Sequence, residues 1–177
     1  FSEPNSEVVK KTVLEDFKSR IFDDFSLDSL KLINTSDDSK LSFRSNLTIN
    51  KKINKIGSIN ILEIPIITHP YENSIIQLDQ RNYPIDYKQY ETVDGYEVSY
   101  IFKLNEGKKF TEIPKNKNLS FKNHNYSIDY DLKNENKLHV IIKSTPSFEK
   151  ISPNEYLEYK DYVKKVLEAQ GEFVGFR

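Results

Sequence analysis

The chain has 177 residues, of which 37% are hydrophobic and 30% charged, with 26 Lys plus Arg against 27 Asp plus Glu. A chain of this length buries roughly 70% of its unfolded surface, and its 11 Phe and 11 Tyr supply core material that disordered sequences lack, so a folded globular chain is expected. The interspersed, balanced charge excludes a field that would gather nucleic acid or anionic lipid, and the absence of Cys removes disulfides, thiolate metal sites and cysteine nucleophiles together.

Residues 6–22 read as an amphipathic helix, because Val9, Val13, Phe17 and Ile21 recur every four residues with Leu14 beside them, while Lys10, Lys11, Glu15 and Lys18 fill the other face. From Leu27 the period changes to two. Leu41, Phe43, Leu47 and Ile49 alternate with Ser42, Arg44, Asn46 and Thr48, the pattern of a strand with one dry face. Lys51 to Gly57 is expected to turn, and Ser58 to Ile67 to form a β-branched strand. Its apolar run, Ile64-Pro65-Ile66-Ile67, is far short of the ~20 residues that span a bilayer, so no direct membrane span is expected. Val98, Tyr100, Phe102 and Leu104 alternate again, as do Tyr126, Ile128, Tyr130 and Leu132, and then Leu138, Val140 and Ile142. Lys133-Asn134-Glu135-Asn136 joins the last two runs as a polar hairpin connection. Short strands following one another with no helix between them favour antiparallel pairing.

The C-terminal helix carries the strongest local signals. Ser152 suits the N-cap, Pro153 the first helical position and Glu155 the capping box, and Ile151 with Tyr156 forms a hydrophobic staple. Tyr156, Tyr159, Val163, Val166 and Leu167 make one apolar stripe, with Glu155, Glu158 and Asp161 early and Lys164 and Lys165 late, as the helix dipole prefers. Gly171 is expected to close the helix in the left-handed region before a short final strand at Phe173, Val174 and Phe176. The expected fold is mainly β (α+β): an antiparallel immunoglobulin-like β-sandwich with an N-terminal helical segment over 1–26, a sandwich over 27–177 and a packed helix over 153–170.

Chemistry-bearing residues are sparse. Three His are present: His69 precedes Pro70 in a loop, His124 falls in the Asn123-His124-Asn125 turn, and His139 lies on the wet side of its strand. None shows metal-ligand spacing, no Gly-x-Ser-x-Gly elbow occurs, and five Gly are too few for a phosphate cradle. Asp129 and Asp131 share the wet face of one strand, where surface solubility competes with a calcium pair. Chance accounts for the four Asn-x-Ser/Thr sequons in so Asn-rich a chain, and Asp28-Ser29-Leu30 resembles a bacterial O-glycosylation acceptor. No catalytic, cofactor or metal residue is assigned, and the isolated chain is expected to lack transglutaminase, protease and metal-dependent hydrolase activity. The candidate binding surface is Tyr83, Tyr87, Tyr90 and Tyr96, since Tyr combines apolar area with a hydroxyl. Covering a sheet edge is the competing role for these rings.

Arg81-x-Tyr83-Pro84-Ile85-Asp86, then Gly95-Tyr96-x-Val98, the hairpin, and Ile151-Ser152-Pro153-x-Glu155-Tyr156-x-x-Tyr159-x-x-Tyr162-Val163 form an arrangement with a precedent. It resembles the C-terminal domain of unknown function that follows the transglutaminase-like core in large bacterial envelope proteins of the Bacteroidota type. The resemblance implies a β-sandwich appendage beside a catalytic or pseudo-catalytic core, exported to the periplasm or cell surface, whose partner is a neighbouring domain or an envelope protein. The core's Cys, His and Asp would lie upstream and none carries over to this Cys-free chain. The start Phe1-Ser2-Glu3-Pro4, without Met, fits the same expectation of a longer precursor. A carbohydrate-binding module using the surface tyrosines is the rival expectation.

Overall fold

The computed structural model describes Lys11, Glu15 and residues 25–33, 42–49, 53–66, 71, 73–86 and 95–177. Lys11 and Glu15 are helical; the rest of the expected helix over 6–22 lies outside the described residues. The chain divides into two compact units, residues 1–53 with 65–67, and residues 54–64 with 68–177. Among the described residues the protein is mainly β, with three antiparallel sheets and a long C-terminal helix.

In the first unit, β1 (Phe25–Ile33) pairs antiparallel with β2 (Ser42–Ile49), from Phe25↔Ile49 to Ile33↔Ser42. A bulge between Leu27 and Ser29 interrupts the register. The Thr48 hydroxyl donates across it to the Asp28 carboxylate at 2.7 Å, so the Asp28-Ser29-Leu30 tripeptide sits at this bulge.

The second unit holds the remaining two sheets. In one, the order is β3 (Asn54–Ile56), β4 (Ile59–Glu63), β10 (Phe173–Phe176) and β6 (Phe110–Glu112). The expected turn over 51–57 therefore contains a strand, and the reversal falls at Gly57, whose φ of 59° suits a residue without Cβ. The following strand stops at Glu63 instead of Ile67, just before Pro65, which has no N–H to give to a ladder. Gly175 lies at the centre of this sheet, where an added Cβ would come within 2.8 Å of Ile59 Cγ2 and 2.9 Å of Glu112 Cβ.

The other sheet has the order β5 (Tyr96–Lys103), β9 (Lys137–Thr145), β8 (His124–Asn134) and β7 (Lys117–Phe121). Register stacks its inner face in rows: Tyr96–Ser144–Tyr126, Val98–Ile142–Ile128 and Tyr100–Val140–Tyr130. Tyr126, Ile128, Leu138, Val140 and Ile142 are fully buried and Tyr130 nearly so, which is the core expected from the alternation. Leu132 departs from it at 44% exposed, because the ladder shifts register between Leu132 and Asn134 and a bulge turns the strand end away.

The helix begins where expected, with its first turn, Pro153–Glu155, in 3₁₀ form and α1 running Tyr156–Gln170. The Glu155 carboxylate accepts from the Ser152 backbone N–H at 2.9 Å and from its hydroxyl at 2.8 Å. The ion pair with Lys122 and these two bonds hold the Glu155 carboxyl down at about 2. Ser152→Ala should therefore lower stability by about 1 kcal/mol, read as a fall in the urea midpoint. Gly171 does not take the expected left-handed cap: its φ is −85° and its N–H reaches the Leu167 and Glu168 carbonyls at 3.1 Å each. Helical geometry simply persists one residue further. Tyr156, Tyr159, Tyr162, Val163, Val166 and Ala169 are buried, and Tyr159 meets Phe121 of β7 edge-on at 5.4 Å.

Candidate functional site

A clamped segment stands out between the 3₁₀ turn Asn73–Ile76 and β5. Ile75 and Ile76 anchor the turn in the interior, and the chain then runs without regular structure to Pro84. Both its ends are fixed. The Tyr156 hydroxyl donates to the Leu78 carbonyl at 2.9 Å, with the Ile75 carbonyl at 3.3 Å, and Lys160 Nζ donates to the same Leu78 carbonyl at 2.6 Å. Ile85 and Ile151 exchange two backbone hydrogen bonds of 2.9 and 3.0 Å, and Lys150 pairs with Asp86 at 2.9 Å. Between these ends the Arg81 guanidinium lies 5.7 Å from the centre of the Tyr156 ring, and its Nε reaches the Tyr83 carbonyl at 3.5 Å. The clamp leaves Tyr83 78% exposed and Leu78 52% exposed. Backbone so tethered, carrying an exposed aromatic and an exposed aliphatic side chain, presents contact area whose ordering cost is largely met in advance.

The other proposed tyrosines fare differently. Tyr96 is half-buried with its hydroxyl inside; burial pushes its phenol up to about 12, with the Gln170 side chain offsetting part of the shift. Tyr87 and Tyr90 lie outside the described residues. Tyr96 belongs to an inward layer with Tyr100, Tyr126 and Tyr130, all raised mainly by burial. Such phenols are neutral at physiological pH.

His124 is not in a surface turn. The turn is made by Lys122, at φ 49°, and Asn123, and His124 opens β8 at 1% exposure. Its Nδ1 accepts from the Ser147 backbone N–H at 3.2 Å, with the Tyr71 hydroxyl also at 3.2 Å. A backbone donor at Nδ1 fixes the proton of the neutral ring on Nε2. Burial, aided by Lys122 and opposed by Glu149, pushes the imidazole down to about 4. With Tyr71, Phe121, Tyr159 and Tyr162 around it, it is a core acceptor and a poor base.

His139 is half-buried on the outer face, with Nε2 2.7 Å from the Ser99 hydroxyl of β5. Asp131 stands opposite His139 in register, so the sheet aligns the three residue types of a hydrolytic triad, a juxtaposition that sequence spacing alone did not reveal. Asp131 is instead ion-paired with Lys133. Two clefts of the unit lie elsewhere. One of about 440 Å³ is lined by Asn54, Glu63, Gln170, Glu172 and Phe173 among others, and one of about 480 Å³ by Gly107–Lys109 and Asn134–Asn136. Asp129 and Asp131 are exposed, and among the described residues no cluster of three or more His, Asp or Glu has metal-holding geometry. His69 lies outside the described residues.

No helix among the described residues is long and apolar enough to cross a membrane. No curated protein and no solved structure matches the chain. The model of one protein family does match, over residues 60–176, a span that takes in β4, the clamped segment, the four-stranded sheet of β5 and the C-terminal helix: the chain belongs to the DUF3858 family, a domain of unknown function.

Proposed function

We propose that this chain is a non-catalytic accessory and protein-interaction domain of an exported bacterial transglutaminase-like protein of the Bacteroidota type, working in the periplasm or at the cell surface. Its architecture is read as an immunoglobulin-like β-sandwich with a packed C-terminal helix, supported by two four-stranded antiparallel sheets within one compact unit. The observation that carries the docking role is the clamped segment 77–84, which holds Tyr83 and Leu78 outward on a fixed backbone. Its second end and the helix that grips it fall in the Arg81–Asp86 and Ile151–Val163 stretches on which the resemblance to the transglutaminase-associated domain rests. The non-catalytic reading is supported by how its titratable groups are used: His124 accepts from the backbone in the core, Asp131 is paired with Lys133, and Glu155 caps a helix.

Central aromatic anchors dominate binding energy at protein interfaces. Tyr83→Ala is accordingly expected to weaken binding to the transglutaminase-like core of the parent polypeptide by about tenfold or more, equivalent to about 1.4 kcal/mol, while leaving the thermal midpoint unchanged. Calorimetric titration of the purified core with both chains measures this. Equal affinities for the two chains would remove the segment from the interface. The exposed Tyr83 ring also supports a second reading, a carbohydrate-binding module, and a glycan array that retains the chain but not Tyr83→Ala would favour it.

A further inference from the structure

The outer edge of β5 has a pattern that the docking segment does not explain. β5 pairs only with β9 among the described strands, in unbroken register from Tyr96↔Ser144 to Lys103↔Lys137. The Leu104 N–H donates to the Asn136 carbonyl in the continuation of that register. Hydrogen-bonded pairs alternate along an antiparallel ladder, so the even-numbered residues spend their backbone groups on β9. Glu97, Ser99, Ile101 and Lys103 therefore point N–H and C=O outward along an edge that no described strand pairs with. The edge is eight residues long and without a bulge, which is the kind of edge that accepts another strand. On its inner face, Tyr96, Val98, Tyr100 and Phe102 are only half-buried, whereas their neighbours on β9 are fully buried.

The charges on this edge select the occupant. Glu97 and Lys103 lie three residues either side of Tyr100 with opposite sign. We propose that β5 pairs antiparallel with β5 of a second copy of this chain about a twofold axis at Tyr100, joining two four-stranded sheets into one. In that register Glu97 faces Lys103 of the second copy, Ser99 faces Ile101, Val98 faces Phe102, and Tyr100 faces its own counterpart. Facing residues share parity, so the apolar faces of both sheets stay on one side. The outward-pointing residues pair with one another and exchange both of their backbone hydrogen bonds. Self-pairing also places a carboxylate beside Lys103, which within the chain stands opposite Lys137, and like charges directly opposite are unfavourable. Glu97 keeps its 3.1 Å contact with Lys143 on the other side.

Sedimentation equilibrium of the chain over a wide concentration range tests this, with hydrogen exchange at the amides of residues 97, 99, 101 and 103. A concentration-dependent dimer with those amides protected is expected. Glu97→Lys and Lys103→Glu should each weaken it by about tenfold or more by setting like charges opposite, and the double exchange Glu97→Lys/Lys103→Glu should restore it. Unchanged circular dichroism spectra and a cooperative thermal transition would show that the single variants still fold. A monomer at every concentration, or a dimer indifferent to the reversals, would overturn self-pairing. So would edge amides that become protected only on adding the transglutaminase-like core, since the occupant would then be a strand of that partner.

Discussion

Ile142→Ala is expected to lower the unfolding free energy by about 2–5 kcal/mol, the range for truncating a well-packed aliphatic core residue. Ile142 is fully buried on the second strand of its sheet, between Val98 and Ile128 in register. Its own strand is held by ladders on both sides, so the surroundings have little freedom to close the space left behind. Leu132→Ala is the matched control: Leu132 has alternating spacing on the same hairpin but is 44% exposed, and its truncation should cost well under about 1 kcal/mol. Urea denaturation of the three chains gives the comparison. Similar losses for the two variants would mean that the burial pattern of the hairpin is wrong.

A second large effect is expected from pH. The imidazole of His124 is pushed down to about 4 in the folded chain, chiefly by burial, against about 6.5 for an unperturbed His. Between these values the unfolded chain binds the extra proton, so stability rises with pH there. The contribution is fully present above about 6.5 and is lost as pH falls from 6.5 through 4, a total on the order of 3 kcal/mol. Glu155, held down at about 2, loses its contribution at lower pH, as its folded-state carboxyl titrates, so the two windows largely separate. His124→Asn keeps an acceptor for the Ser147 N–H and cannot titrate. Urea midpoints at pH 7 and pH 4.5 should fall steeply for the natural chain and much less for this variant. Parallel slopes would show that His124 is not the group responsible.

The parts of the fold that sequence made legible are those encoded locally. The alternation of Tyr126 to Tyr130 against Leu138 to Ile142 placed a buried hairpin, and Ser152, Pro153 and Glu155 placed a helix start, because each signal lies within a few residues of what it specifies. Extending the Val98, Tyr100, Phe102 period back by two residues would also have put Tyr96 on the inner face, where its hydroxyl is buried. What was not legible depends on distant partners. The burial of His124 rests on Tyr71, Tyr162 and Ser147 from other elements. The approach of Ser99 to His139 follows from register across forty residues. The clamp on Leu78 needs Tyr156 and Lys160 from the helix, so within the tyrosine-rich segment sequence showed residue types but not which ring faces out. Gly171 illustrates a weaker limit, since a glycine permits the left-handed region without requiring it.

The proposed docking role is tested most directly by amide hydrogen exchange over residues 77–86, measured on the chain alone and joined to the proposed transglutaminase-like core. In the chain alone, the Ile85 amide, bonded to the Ile151 carbonyl, should exchange slowly and the amides around Tyr83 quickly. Docking predicts that when joined to that core the amides around Tyr83 slow by about tenfold or more while those of the Tyr126–Ile142 hairpin do not change. Identical exchange around Tyr83 in the two settings would contradict it.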